Sequence, residues 1–102
     1  MVSLLGLVLM FGLSGCEYRS EVPTIRNETD QTLTLYRLVG AGAGDIPEGT
    51  EQELTRLRPG NEYVDRAECV DEDFVVRTED GTEFARRTER LCAGDPWILT
   101  EP

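Results

Sequence analysis

Glu68, Asp71, Glu72 and Asp73 place four carboxylates within six residues. Carboxylates at that density can hold a hard cation or meet a basic protein surface. A calcium loop of the EF-hand kind needs oxygen ligands at alternate positions and a glycine at the sixth. Counted from Asp71, Val75 stands where the third ligand belongs and Val76 where the glycine belongs. A solvated acidic loop, or a contact patch for a basic partner, is the expectation that remains. Arg86, Arg87 and Arg90 form a basic stripe. Alternate residues of a strand share a face, so Arg86 and Arg90 would lie together, as a clamp for phosphate or carboxylate or as partners for nearby acids. Ion pairing is the expected role. Gly40-Ala41-Gly42-Ala43-Gly44 runs into Asp45-Ile46-Pro47, not into the Gly-Lys-Ser/Thr that a phosphate-cradling loop requires. It is expected to be a flexible surface loop that can serve as a contact loop. Acid–base or nucleophilic catalysis has little to work with, because the chain has no histidine. It also lacks a C-x-x-C pair, which argues against a zinc site. No cofactor or metal is expected.

Strands must position these residues. Beyond Cys16 the apolar residues recur at short intervals without a 3.6-residue stripe, and threonine, valine and aromatics are frequent, as strands prefer. Strands are expected over 24–27, 33–39, 53–57, 63–69, 74–79, 82–91 and 97–100. Glu28-Thr29-Asp30, Arg58-Pro59-Gly60-Asn61 and Gly94-Asp95-Pro96 supply turn chemistry between them. Asp80-Gly81 between two strand-like runs favours a two-residue type I′ hairpin. That register pairs residues whose numbers sum to 161: Thr78 with Glu83, Val76 with Ala85, Phe74 with Arg87. Cys69 and Cys92 also sum to 161, so a ladder running that far would set them opposite each other within disulfide reach. Trp97, Ile98 and Leu99 are expected in the core, Trp97 sealing one end. The fold class is therefore all-β: a small single-domain β-sandwich of about seven short antiparallel strands with one disulfide, a barrel being the alternative.

Residues 4–13 form an uninterrupted apolar run, and Leu13-Ser14-Gly15-Cys16 closes it. The run is too short to span a bilayer, which takes roughly 20 residues. Residues 1–15 carry no charge and no polar face, which a core helix at a protein surface would need. The segment resembles a bacterial lipoprotein signal peptide ending in a lipobox of the form L-[AS]-[GA]-C. That resemblance implies cleavage before Cys16, a diacylglyceryl group on the Cys16 sulfur, and a chain anchored to the membrane on its outer side. Met1-Val2-Ser3 lacks the basic residues that usually precede the apolar core, so a start codon upstream of Met1 is expected. The organisation that follows is a signal peptide over 1–15, the lipidated cysteine and a short tether over 16–21, and the sandwich over 22–102. The five residues after Cys16 span about 17 Å at most.

Without residues 1–15, 87 of the 102 residues remain, enough for one small domain that benefits from a covalent staple. With Cys16 lipidated, Cys69 and Cys92 are left as an even pair in a compartment that permits a disulfide. The only serine beyond Cys16 is Ser20, in the tether. The whole net charge of −10 falls beyond residue 15, which excludes nucleic acid as a partner. It also repels anionic headgroups and attracts a basic partner. All ten basic residues are arginine, as in a GC-rich genome, and the acidity with no lysine also resembles a halophilic archaeon. Asn27-Glu28-Thr29 is an N-glycosylation sequon that would matter in the archaeal case.

Ile25-Arg26-Asn27-Glu28-Thr29, Leu33-Thr34-Leu35-Tyr36 and Leu57-Arg58-Pro59-Gly60 follow an order of strand, N-x-T turn, strand ending in an aromatic, then L-x-P-G. Over about a third of the chain this is similar to the opening of a von Hippel–Lindau-type β-domain, which implies a sandwich over a barrel. The function expected is a lipid-anchored, non-catalytic binding module of the cell envelope, possessing a membrane contact through Cys16 and open to a basic envelope or secreted protein. The alternatives are an inhibitor of a cationic envelope-directed enzyme such as a lysozyme, and a structural surface lipoprotein without a specific ligand.

Overall fold

The structure, a computed structural model, describes residues 22–102; the expected leader, Cys16 and the tether lie outside the described residues. The described chain is all-β, with nine strands and no helix: β1 (Thr24–Asn27), β2 (Leu33–Leu38), β3 (Glu51–Leu57), β4 (Glu62–Val64), β5 (Cys69–Val70), β6 (Asp73–Thr78), β7 (Glu83–Arg87), β8 (Leu91–Cys92) and β9 (Trp97–Leu99). They form a three-stranded sheet in the order β4-β1-β9, a four-stranded sheet in the order β3-β2-β6-β7 and a two-stranded ribbon β5-β8. No hydrogen-bonded pairing closes either sheet into a barrel.

Period-two alternation explains why the sheets face each other. Leu33 and Leu35 of β2, Leu57 of β3, and Phe74 and Val76 of β6 turn inward from the larger sheet. Ile25 of β1 and Leu99 of β9 meet them from the smaller sheet, and Val70 and Leu91 of the ribbon close one end. Each of these side chains contributes about 1.5–3 kcal/mol by leaving water.

Ile98, expected in the core, is 40% exposed, because it is the outward-facing middle residue of β9; the strands themselves differ from the sequence expectation in three places. Nine strands stand where seven were expected, because two long runs divide. The run over 63–69 breaks after Val64, where the Asp65 carboxylate accepts the Ala67 N–H at 2.9 Å and turns the chain. The run over 82–91 divides into β7 and β8. Secondly, β1 and β9 pair in parallel, Ile25 opposite Trp97 and Asn27 opposite Leu99, so the strands are not all antiparallel. Thirdly, the hairpin is not type I′, which needs positive φ at both central residues; Gly81 has φ +92°, and no non-glycine residue is in that region. The Gly81 N–H donates to the Thr78 carbonyl at 2.9 Å, and the Thr78 N–H to the Thr82 carbonyl at 2.9 Å. The loop is therefore three residues long, a tight turn followed by a left-handed glycine.

The longer loop offsets the register by one, so that Arg77 faces Glu83. A bulge at Phe84 restores it: Val76 faces Ala85, Phe74 faces Arg87, and in the ribbon Val70 faces Leu91 and Cys69 faces Cys92. β3 carries a second bulge at Leu54, between Thr55 opposite Leu35 and Glu53 opposite Tyr36. Both extra residues are apolar and pack against the core. Both edges of the larger sheet are thus bent by a bulge whose side chain is anchored inside.

Asn27 is fully buried. Its side-chain amide donates to the carbonyls of Gln31 and Leu57, both at 2.8 Å. Its side-chain oxygen accepts from the Thr29 N–H at 2.9 Å and the Thr29 hydroxyl at 2.6 Å. Its backbone N–H donates to Asn61 at 2.9 Å, and its carbonyl accepts from Gly60 at 2.7 Å. One residue thus ties the N-x-T turn to the Pro59-Gly60 turn. The sequon asparagine spends both amide hydrogens in the core and offers no nitrogen to a glycan.

Candidate functional site

Because β2 lies between β3 and β6, the glycine-rich loop that follows β2 and the acidic link that enters β6 meet at one end of the sheet. The loop is clasped at its base by Val39, which accepts from Gly49 at 2.8 Å and donates to Thr50 at 2.9 Å. Between loop and link lies a groove of about 410 Å³. Leu38, Val39, Ala43 and Ile46 give it an apolar side; Glu48, Asp71, Glu72 and Asp73 give it an acidic one, with Arg37 the one cation among its lining residues. Ile46 is 41% exposed, a large aliphatic side chain left facing water.

The carboxylates of this groove are not equivalent. Arg37 donates to Glu72 at 2.9 Å and to the Gln52 side chain at 3.0 Å. Asp71 takes both nitrogens offered by Arg90, at 2.7 and 3.2 Å. That guanidinium holds the Asp71 carboxyl below its ordinary range. Asp73 and Glu48 enter no ion pair among the described residues. Tyr63 sits close by: burial, then the charges of Asp65 and Glu72, push its phenol above its ordinary value. The arrangement can receive a cationic side chain against an apolar wall. It presents no nucleophile with a base beside it.

Of the acids singled out in the sequence, Asp71, Glu72 and Asp73 come together in this groove, whereas Glu68 does not line it. Glu68 precedes β5, exposed, and its carbonyl accepts from Ala93 at 3.0 Å. The three arginines of the basic stripe do not converge as a clamp. Arg86 pairs with Glu83 at 2.9 Å and Arg90 with Asp71 at 2.7 Å. Arg87 donates to the carbonyls of Glu89 and Arg90 and lies over the Trp97 ring at 5.8 Å from its centre. Trp97 is half-buried and packs against the core beneath that guanidinium. Cys69 and Cys92 form a disulfide, with Cα atoms 4.0 Å apart. Among the described residues no three histidine, cysteine, aspartate or glutamate side chains are grouped to hold a metal ion.

Arg37, Ile46 and Glu48 were not singled out in the sequence. Nothing local marks them: they join the acidic link only through the pairing of β2 with β6, Leu38 opposite Asp73. No family model, no curated protein and no solved structure matches this chain.

Proposed function

We propose that this chain is a non-catalytic binding module held on the outer side of a membrane by lipid on Cys16, and that its groove takes basic side chains of an envelope or secreted protein. The observation that carries the binding part is the pair Glu48 and Asp73, two carboxylates that enter no ion pair among the described residues, beside the exposed Ile46. Charge steers a basic protein toward a chain of net charge −10, and desolvated contact at the apolar wall slows its departure. The anchoring part is supported by Leu13-Ser14-Gly15-Cys16.

The test is a pull-down from detergent-solubilised envelope with oxidised residues 22–102 as bait, at low and high salt. A basic protein captured at low salt, lost at high salt and lost with the pair Asp73→Asn and Glu48→Gln is the expected result, and that protein is then assayed for inhibition. Capture indifferent to salt and to both substitutions overturns the groove. Separately, Cys16→Ala is expected to move the protein to the aqueous fraction; unchanged membrane retention overturns the anchor.

A further inference from the structure

We infer that the groove opens toward the bilayer, so that its occupant is a basic polypeptide segment lying at the membrane surface. This rests on the lipid anchor proposed above.

β1 begins beside Pro23, whose carbonyl accepts the Asp65 N–H at 3.0 Å. It runs to Asn27, which is bonded to Leu57 and Gly60. β2 begins at that end, with Leu33 opposite Leu57, and runs back to Leu38. The far end of β2 therefore returns toward the start of β1. Two links between the sheets fix this. Arg87, opposite Phe74, lies over Trp97, opposite Ile25. Tyr63, the other partner of Ile25, feels the charges of Glu72 and Arg37. The groove and the point where the chain leaves toward Cys16 thus share one end of the sandwich. The Asp80-Gly81 hairpin and the Pro59-Gly60 turn occupy the opposite end.

From Cys16 to Val22 the chain reaches about 20–22 Å fully extended. The six residues of β2 alone span about 20 Å. The chain leaves the sandwich at the groove end, so bringing the opposite end to the lipid would require the tether to run back along the whole sandwich fully extended and without slack. The groove end is therefore held near the headgroups, and a ligand enters it at that level. Asp73 and Glu48 favour lysine or arginine, and Ile46 favours an apolar neighbour beside them. Anionic headgroups are repelled by the same carboxylates, so a peptide segment is the occupant that fits.

The experiment uses the lipidated full chain in phosphatidylcholine vesicles that contain a headgroup quencher. A fluorophore is attached through an unnatural side chain at Asp45, in the groove loop, or at Asp80, in the opposite hairpin. Flotation with the vesicles reads the anchor, with Cys16→Ser as the control. Quenching at Asp45 about threefold or more above that at Asp80 is expected. Equal or reversed quenching in a chain that floats overturns the orientation and leaves the anchor standing; a chain that does not float removes the anchor and this inference with it.

In a second arm, acylated hexalysine is added to vesicles without quencher. It is expected to change Asp45 emission, and the pair Asp73→Asn and Glu48→Gln to weaken that response about tenfold. An unaltered response in the pair overturns the groove as the site. An emission change on vesicles alone, abolished by Ile46→Ser, makes lipid the occupant and overturns the peptide.

Discussion

The buried side-chain amide of Asn27 donates to the carbonyl of Leu57, 30 residues further along the chain, at 2.8 Å. The same side chain fills its remaining capacity with Gln31 and Thr29, so a single asparagine closes the turn after β1 and holds the end of β3. Replacing it strands several buried groups at once, each costing about 1–3 kcal/mol when unmatched. Asn27→Ala is expected to lower stability by about 3 kcal/mol or more, measured by urea unfolding of the oxidised domain. A loss below about 1 kcal/mol would mean that water replaces these bonds.

The same bonds predict the fate of the sequon. Oligosaccharide transfer consumes the Asn27 nitrogen, and in the fold that nitrogen is buried. Protein secreted from a glycosylating host in folded, disulfide-bonded form is expected to show the unmodified mass. A folded fraction carrying a glycan at Asn27 contradicts the buried position.

Cys69 and Cys92 are joined over a sequence separation of 23. In the chain-entropy account a loop of this length stabilises the fold by about 3.4 kcal/mol. The double variant Cys69→Ala with Cys92→Ala is expected to lower the free energy of unfolding by that amount, read as a lower urea midpoint at unchanged slope. Because Asp71 and Arg90 lie between the ribbon and the β6-β7 ladder, chemical shifts in the groove should move with it, whereas those around Asn27 should hold.

Asp80 accepts from the Thr78 hydroxyl and from Thr82, bonds that bring its carboxyl down to about 2 from an ordinary value of 3.8. A depressed folded value means that the ionised group stabilises the fold above its unfolded value and ceases to do so as pH falls through the folded one. The stability difference between the parent and Asp80→Asn is therefore expected to be constant above about pH 5 and to shrink toward pH 2. A difference independent of pH over that interval would show that the carboxylate charge has no part in the turn.

Tyr63 titrates in the opposite direction. Burial and the nearby Asp65 and Glu72 charges raise its phenol above 10, so the neutral form stabilises the fold at lower pH and the contribution is lost as pH rises through the folded value. In a chain with Tyr18→Phe and Tyr36→Phe, tyrosinate absorbance is expected to develop with a midpoint above 10. Replacing Glu72 by glutamine should bring it back toward 10.

Alternation along short runs placed most strands: β1 matches its expected span, β2 and β9 end one residue early, and β6 is shifted by one residue at both ends. The Cys69–Cys92 pairing was legible because register arithmetic carries along a ladder. It survived a turn of the wrong type only because the added loop residue and the Phe84 bulge cancel. Neither has a signal in a single sequence, since a bulge is decided by what the extra side chain finds beneath it. The acidic half of the groove was visible as a run of like residues. Its other half was not, because Ile46 and Glu48 come near Asp73 only through the non-local pairing of β2 with β6, which depends on how the whole sheet orders itself.

The open flanks of a sheet are where copies of a β-protein add to one another. A straight flank would let each copy donate and accept backbone bonds from the next, and rows of copies would zip into ribbons. Leu54 and Phe84 break the rhythm of such bonds on both flanks of the larger sheet, while their side chains, sunk in the core, keep the kinks from relaxing. A second copy laid along either flank therefore meets a break in the bonding pattern where a regular edge would let it continue the sheet.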